Sequence, residues 1–352
     1  MSKFLSNKYE NLLPYTPGEQ PKDKEYIKLN TNESPFSPSK KAIKKVKKEV
    51  EKLHLYPDPE QRLLTQKVAT FLGVKREEVL LTNGSDEILN FAFMAYCDSM
   101  TPAVFADITY GFYSVFAGIN NVPKKIIPLK EDFSIKKEDY FNAKGTIFIA
   151  NPNAPTGMAL TNDDIRAILD NNKDNIVVID EAYVDFYGES AIPLIREYDN
   201  LLVTRTFSKS RAMAGARLGF GVASETLIKD LNAIKYSTNP YNVNRLSAIA
   251  GVASIDDKRY YEKCLNSVIF AREYLKEELK NLGFSMTDSV ANFIFAKSDK
   301  ISGEDLYKKL KEKGVLVRYF NKERISDYVR ITIGTKKQME VLVKIIKEIL
   351  GS

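Results

Sequence analysis

The sequence predicts an α/β protein in which a mainly parallel sheet is sandwiched by helices, followed by a smaller α+β domain. Three observations predict it. Between about residues 61 and 235, short apolar runs alternate with segments of helical periodicity, the pattern of repeated strand–loop–helix units. The runs are continuously apolar, as in strands covered on both faces. Beyond about residue 280, further apolar runs and one closing helical segment read as a separate, smaller lobe.

The elements follow in order. Residues 1–30 read as an arm without strong periodicity, kept extended by Pro14, Pro17 and Pro21. The polar loop 28–38 comes next. In the lysine-rich stretch from Lys40, Ile43, Val46, Val50 and Leu53 recur at spacings of three and four. That spacing predicts an amphipathic helix with a solvated lysine face. Tyr56-Pro57-Asp58-Pro59 is a stiff turn. A helix is expected over 61–72, a short strand at 79–81, a helix at 88–96 and a strand at 103–106. Strands at 146–150, 176–179 and 201–204 follow, then a helical linker from about 224 through 280. The last lobe holds apolar runs at 291–296, 315–318 and 329–334 and a helix at 336–350. On this reading 1–50 is the arm with part of the small domain, 51–240 the large domain, and 241–352 the linker helix and C-terminal small domain.

Composition narrows the function. The 352 residues are 44% hydrophobic and 28% charged, ordinary for a globular protein. No apolar run approaches the roughly 18 residues of a membrane span. The first eight residues are too polar for a secretory signal, and Cys97 and Cys264 fit no metal or redox spacing. A cytoplasmic location is expected. The single histidine, His54, reads as a surface residue near a helix end. With two cysteines it cannot build a typical four-ligand zinc site. A serine hydrolase would need it as base, and no Gly-x-Ser-x-Gly elbow is present. The net charge of +6 suits anionic small molecules. The lysine helix reads as a surface helix rather than a nucleic-acid patch.

The chemistry collects where strands end. The run 201–204 leads to Thr206-Phe207-Ser208-Lys209, 176–179 to Asp180-Glu181-Ala182-Tyr183, and 146–150 to Asn151-Pro152-Asn153-Ala154-Pro155-Thr156-Gly157. Ligands in parallel sheets gather at such carboxyl ends. A lone lysine after a strand is ordinarily a surface lysine; the acid and the Asn/Pro/Gly loop beside it reverse that reading. An amine, a carboxylate and polar ring-edge groups are what pyridoxal phosphate requires: one holds its aldehyde and one faces its pyridine nitrogen. Thr82-Asn83-Gly84-Ser85-Asp86 opens a helix whose free N–H groups can hold a phosphate. The alternative is a plain N-cap by Ser85 or Thr82. Ser208 can donate to a phosphate and Arg217 can neutralise it. Gly215, Gly219 and Gly221 do not form a dinucleotide fingerprint.

Asn-Pro-x-x-Pro-Thr-Gly, Asp-Glu-Ala-Tyr, Ser-Lys and Gly-x-Arg, in this order, resemble the pyridoxal-phosphate-dependent aminotransferases of fold type I. The segments 29–33, 56–58, 83–87, 241–246, 316–320 and 329–335 narrow the likeness to the histidinol-phosphate aminotransferases, over nearly the whole chain. The resemblance implies roles. Lys209 holds the cofactor and shuttles a proton, Asp180 faces the pyridine nitrogen, Tyr183 touches the ring hydroxyl and Tyr110 stacks on the ring. The backbone around Gly84, Ser85 and Asp86, with Thr206, Ser208 and Arg217, holds the phosphate, joined by Tyr56 from a neighbouring subunit, hence a homodimer. Arg330 binds the anionic group of the amino donor, with Arg318, Asn32 and Tyr15 near the substrate. The implied reaction passes the amino group of L-histidinol phosphate, a phosphorylated amine, to 2-oxoglutarate, giving glutamate, with no nucleic-acid or membrane partner. Threonine-phosphate decarboxylases and broad aromatic-amino-acid aminotransferases share the scaffold. One position departs: the family usually carries Asn before Pro-Thr-Gly, contacting the ring hydroxyl, and this chain has Ala154. Either Asn153 takes that contact over or Tyr183 carries it alone.

Overall fold

The computed structural model describes residues 2–10 and 12–351; Met1 and Asn11, both in the expected arm, and Ser352 lie outside the described residues. Strand β1 (Ile27–Lys28) and helices α1 (Lys40–Glu49) and α2 (Arg62–Leu72) precede the main sheet. The sheet is built from β2 (Val79–Thr82), β3 (Ala103–Ala106), β4 (Lys124–Ile127), β5 (Thr146–Ala150), β6 (Val177–Asp180), β7 (Leu201–Thr206) and β8 (Gly219–Ala223). Its order is β2-β8-β7-β6-β5-β3-β4. β8 runs antiparallel to both neighbours, and the other pairings are parallel.

The two-residue period of a strand sends alternate side chains to opposite faces. Leu81, Ile147, Ile149, Val177, Ile179 and Val203 enter one apolar cluster, while Leu80, Phe148, Val178 and Leu202 enter another. Both faces are therefore core, which is why the runs carry no polar alternation. Helices α3 (Ser85–Tyr96), α4 (Phe112–Ile119) and α6 (Glu225–Thr238) cover the second face; α5 (Asn162–Asp170) and α2 cover the first. Phe93 of α3 stacks on Phe148 at 4.2 Å between ring centres.

The expected continuous linker is three helices. α6 ends at a loop, and α7 (Arg245–Asp256) and α8 (Lys258–Asn281) follow. The loop's Asn242 reaches back to the Leu81 carbonyl, and α7 packs on α1 and α2, with Ala250 and Val252 in the large sheet's core. β4, β8, α4 and α5 also went unforeseen.

The small lobe comprises β9 (Phe284–Met286), β10 (Phe293–Ser298), α9 (Gly303–Glu312), β11 (Val315–Leu316), β12 (Arg318–Tyr319), β13 (Tyr328–Thr332) and α10 (Lys336–Leu350). Four of its strands form an antiparallel sheet, β12-β13-β10-β9, and β11 pairs in parallel with β1. Its core reaches the large sheet's loops through Ala154 and Tyr183.

α1 departs from its helical wheel. Ala42 is buried and Val46 partly so, but Ile43, Val50 and Leu53 are 40%, 46% and 55% exposed. Lys41 and Lys45 pair with Asp257 and Asp256. His54 is exposed, as expected. No helix among the described residues is long and apolar enough to cross a membrane.

Candidate active site

The carboxyl ends of the central strands meet the β2–α3 turn and residues 31–33 around a cleft of about 340 Å³. Ser85, Asp86, Tyr110, Asp180, Tyr183, Thr206, Ser208, Lys209 and Arg217 all line it.

Asp180 forms the floor. It ends β6 on the Val178 side, and its carboxylate accepts from Thr204 and from Tyr113 of α4, both at 3.1 Å. The Thr204 contact follows from register, since Asp180 and Thr204 are paired on adjacent strands. Burial pushes the Asp180 carboxyl up to about 6, against the pull of those two hydroxyls. No ion pair reaches Asp180 among the described residues. Its neighbour Glu181 points the other way, toward Arg205, Ser190 and the Ala191 N–H. Burial dominates there too and holds Glu181 at about 7. A buried carboxylate with hydroxyl partners and no cation fits a cationic ring N–H.

Lys209 is half-buried, its Nζ 5.7 Å from the centre of the Tyr183 ring and 3.4 Å from the Thr31 carbonyl. The turn carrying it is braced from behind, because half-buried Asp185 takes both Arg205 and Ser210.

The phosphate end is built on α3. Gly84 precedes the helix at φ 81°, a left-handed conformation that glycine adopts without strain. No side chain caps α3, so the plain N-cap alternative does not hold and its first N–H groups stand free. A Cβ on Gly219, opposite Thr82, would come 2.5 Å from the Ser85 nitrogen. That close approach explains one glycine of the 215–221 pattern. Arg217 and the Tyr110 hydroxyl both bind Asp86, at 2.8 and 2.6 Å. Thr206 and Ser208 share a hydroxyl–hydroxyl bond at 3.0 Å beside them. Free helix N–H groups, two hydroxyls and a guanidinium on one wall suit a phosphate.

The other expected residues stand elsewhere. Asn153 is turned away from the cleft: it donates to the Ile108 carbonyl and Thr156, accepts from Thr109, and lines a neighbouring cavity. Ala154 faces the cleft in its place. Tyr56 is 78% exposed and stacks on Tyr241, outside the cleft of its own chain. Tyr15 stacks on Phe112 at 4.4 Å at the mouth. Arg318 donates to the carbonyls of Thr16 and Pro17, holding the arm. Arg330 donates to the Asn30 carbonyl and leaves its Nε unpartnered, and burial pulls it below the usual arginine range. Asn32 lies behind the wall, bonded to Tyr183. Sequence reading missed Tyr113 and gave no role to Thr204 or Glu33. Glu33 lines the cleft and is held by Lys28 and Thr31. Tyr113 lies on α4, a helix that the sequence did not disclose, so no spacing signal pointed to it.

A fold of this kind, with one lysine and one buried acid at the strand ends, defines a class. Residues 24–346 match the aminotransferase class I and II family, and the chain belongs to it. It is 51% identical to the histidinol-phosphate aminotransferase of Brachyspira hyodysenteriae, over 99% of both chains. It is 46% identical to the protein of that name from Clostridium acetobutylicum, over 100% of both. The crystal structure of histidinol-phosphate aminotransferase from Sinorhizobium meliloti, in complex with pyridoxal-5'-phosphate, has the same fold. Its TM-score is 0.90 at 20% identity, over 100% of this chain and 98% of that one.

Proposed function

We propose that the chain is a pyridoxal-phosphate-dependent aminotransferase that passes the amino group of L-histidinol phosphate to 2-oxoglutarate. The observation that carries the chemistry is the pairing of Lys209 with a cation-free, buried Asp180 in one cleft. The substrate rests on the likeness to relatives named histidinol-phosphate aminotransferase. That likeness favours transamination over the threonine-phosphate decarboxylase and aromatic alternatives.

When bound, the cofactor supplies an electron sink for the pair left as the substrate's Cα–H bond breaks. Asp180 sustains the positive ring nitrogen, a charge its buried carboxylate otherwise lacks. Lys209 Nζ takes the Cα proton as base and returns it as acid. The backbone of Gly84, Ser85 and Asp86, with Thr206, Ser208 and Arg217, would anchor the phosphate, Tyr110 would pack on the ring and Tyr183 would meet its hydroxyl. Arg330 offers a fork to the anionic end of the amino donor, with Arg318 and Tyr15 at the mouth. Tyr56 serves the cleft of a second subunit. The uncovered Ile43, Val50, Leu53, Leu55, Tyr56 and Tyr241 support that dimer. The unpaired Cys97 and Cys264 suit the cytoplasm.

The test is an absorbance scan of the cofactor-loaded protein, with L-histidinol phosphate, L-threonine phosphate or L-tyrosine and no oxo acid. Conversion to the cofactor's amino form with histidinol phosphate, reversed by 2-oxoglutarate, is the expected result. Carbon dioxide release from threonine phosphate without that form would overturn it.

A further inference from the structure

Asn32 adopts left-handed backbone, φ 56°, a conformation asparagine tolerates better than most residues, and is 1% exposed. Each of its polar groups is committed. Its N–H donates to Thr332 Oγ1 at 2.9 Å, and its carbonyl accepts from Asn292 at 3.1 Å. Its side-chain oxygen accepts from Thr332 Oγ1 at 3.0 Å, and its side-chain nitrogen donates to the Tyr183 hydroxyl at 2.9 Å.

The directions of these bonds follow from Thr332. That hydroxyl accepts the Asn32 N–H, and among the described residues its own proton has one acceptor, Asn32 Oδ1. Buried hydroxyl protons do not go unpaired. The carboxamide oxygen is therefore fixed toward Thr332 and the nitrogen toward Tyr183. The Tyr183 oxygen is then an acceptor on its Asn32 side, which leaves its proton for the cleft it lines. Ala154, on the same cleft, offers only a methyl group.

We propose that Asn32 is a positioning residue that makes Tyr183 a hydrogen-bond donor into the cleft, aimed at the ring oxygen of the bound cofactor. The inference rests on the cofactor reading above. It separates Asn32 from the substrate, the partner first expected for it. A donor aimed at that oxygen stabilises its deprotonated form, so losing the donor raises the pH at which the bound cofactor changes absorbance.

The experiment is an absorbance-against-pH titration of the cofactor-loaded wild type, Asn32→Ala, Tyr183→Phe and the double variant. Tyr183→Phe is expected to move the transition up by about one pH unit, the scale of a hydrogen bond to a charged group. Asn32→Ala should move it up by roughly half as much, and should add nothing in the Tyr183→Phe background. An unmoved transition in Asn32→Ala, or a full additional shift in the double variant, overturns the inference and leaves the cofactor reading standing. A wild type that takes up no cofactor overturns both. Should Asn32→Ala not fold, Thr332→Val removes the hydroxyl that orients the amide and is held to the same outcomes.

Discussion

The floor of the cleft and the two arginines of the small lobe are built on different terms. On the floor, Asp180, Asp86, Tyr110 and Ser208 hold one another or side chains of β7 and α4. In the small lobe, outside the lining of the cleft, Arg330 and Arg318 rest on the backbone carbonyls of Asn30, Thr16 and Pro17. A neutral carbonyl is a weaker partner for a guanidinium than a carboxylate or phosphate. The floor is thus satisfied by its own side chains, while the two arginines rest on neutral partners that an anion can displace.

The largest break in this picture is Lys209→Ala. It should slow the half-reaction with the amino donor by about 10⁴-fold, the upper range for a lost acid–base group. Unfolding stability should change little, since among the described residues the amine makes one long hydrogen bond, at 3.4 Å. Rapid-mixing absorbance gives the rate, and a variant keeping a tenth of wild-type activity would move the base elsewhere.

Asp180→Asn comes next, with about 10³-fold lost from the rate and a gain elsewhere. The folded pKa of Asp180, about 6, lies above its ordinary 3.8. The folded chain therefore holds this proton when the unfolded chain has released it. Without cofactor, stability should fall as pH rises from about 4 to about 6 and then level off. The loss is on the order of 3 kcal/mol, taken as an upper figure. Glu181 extends the fall toward 7. Asp180→Asn should flatten its share of the slope in urea unfolding at stepped pH. A wild-type profile already flat over that range would refute the buried charge.

Arg330→Gln tests the arginine pair. It should raise KM for the phosphorylated amine by about 10- to 100-fold with a smaller change in kcat, as expected for a lost charge-assisted contact. Steady-state kinetics decide it, and an equal fall in kcat would place Arg330 in the chemistry. The smallest effect belongs to Arg318→Ala, a few-fold in KM. Its clearer sign is faster proteolysis of residues 12–20, which that side chain holds to the small lobe.

What the sequence disclosed divides along the same line. The floor was legible because each strand is a short apolar run whose next residues are polar, and the sheet delivers all such ends to one edge. The phosphate turn was legible for the same reason. Asn153 was not, because neighbouring loop residues point in different directions and only the fold shows that Ala154 faces the cleft. β8 was missed because its run Gly219-Phe220-Gly221-Val222-Ala223 is dominated by small residues, two of them glycines needed for close packing against α3. The stripe on α1 was misjudged because periodicity reports an apolar face without saying what covers it. Asn32 reads as a residue near the substrate until Thr332, 300 residues away, is placed beside it.

That distance has a consequence for how the chain is made. β1 finds its partner only when β11 has been synthesised, and Asn32 finds Thr332 later still. At about 5–20 residues per second, an interval of 300 residues lasts roughly 15–60 s on the ribosome. The large sheet, complete at Ala223, can close around Lys209 and Asp180 well before then. Synthesis is thereby ordered: every residue of the floor is made before Thr332, the partner that stitches down the segment bearing Asn32.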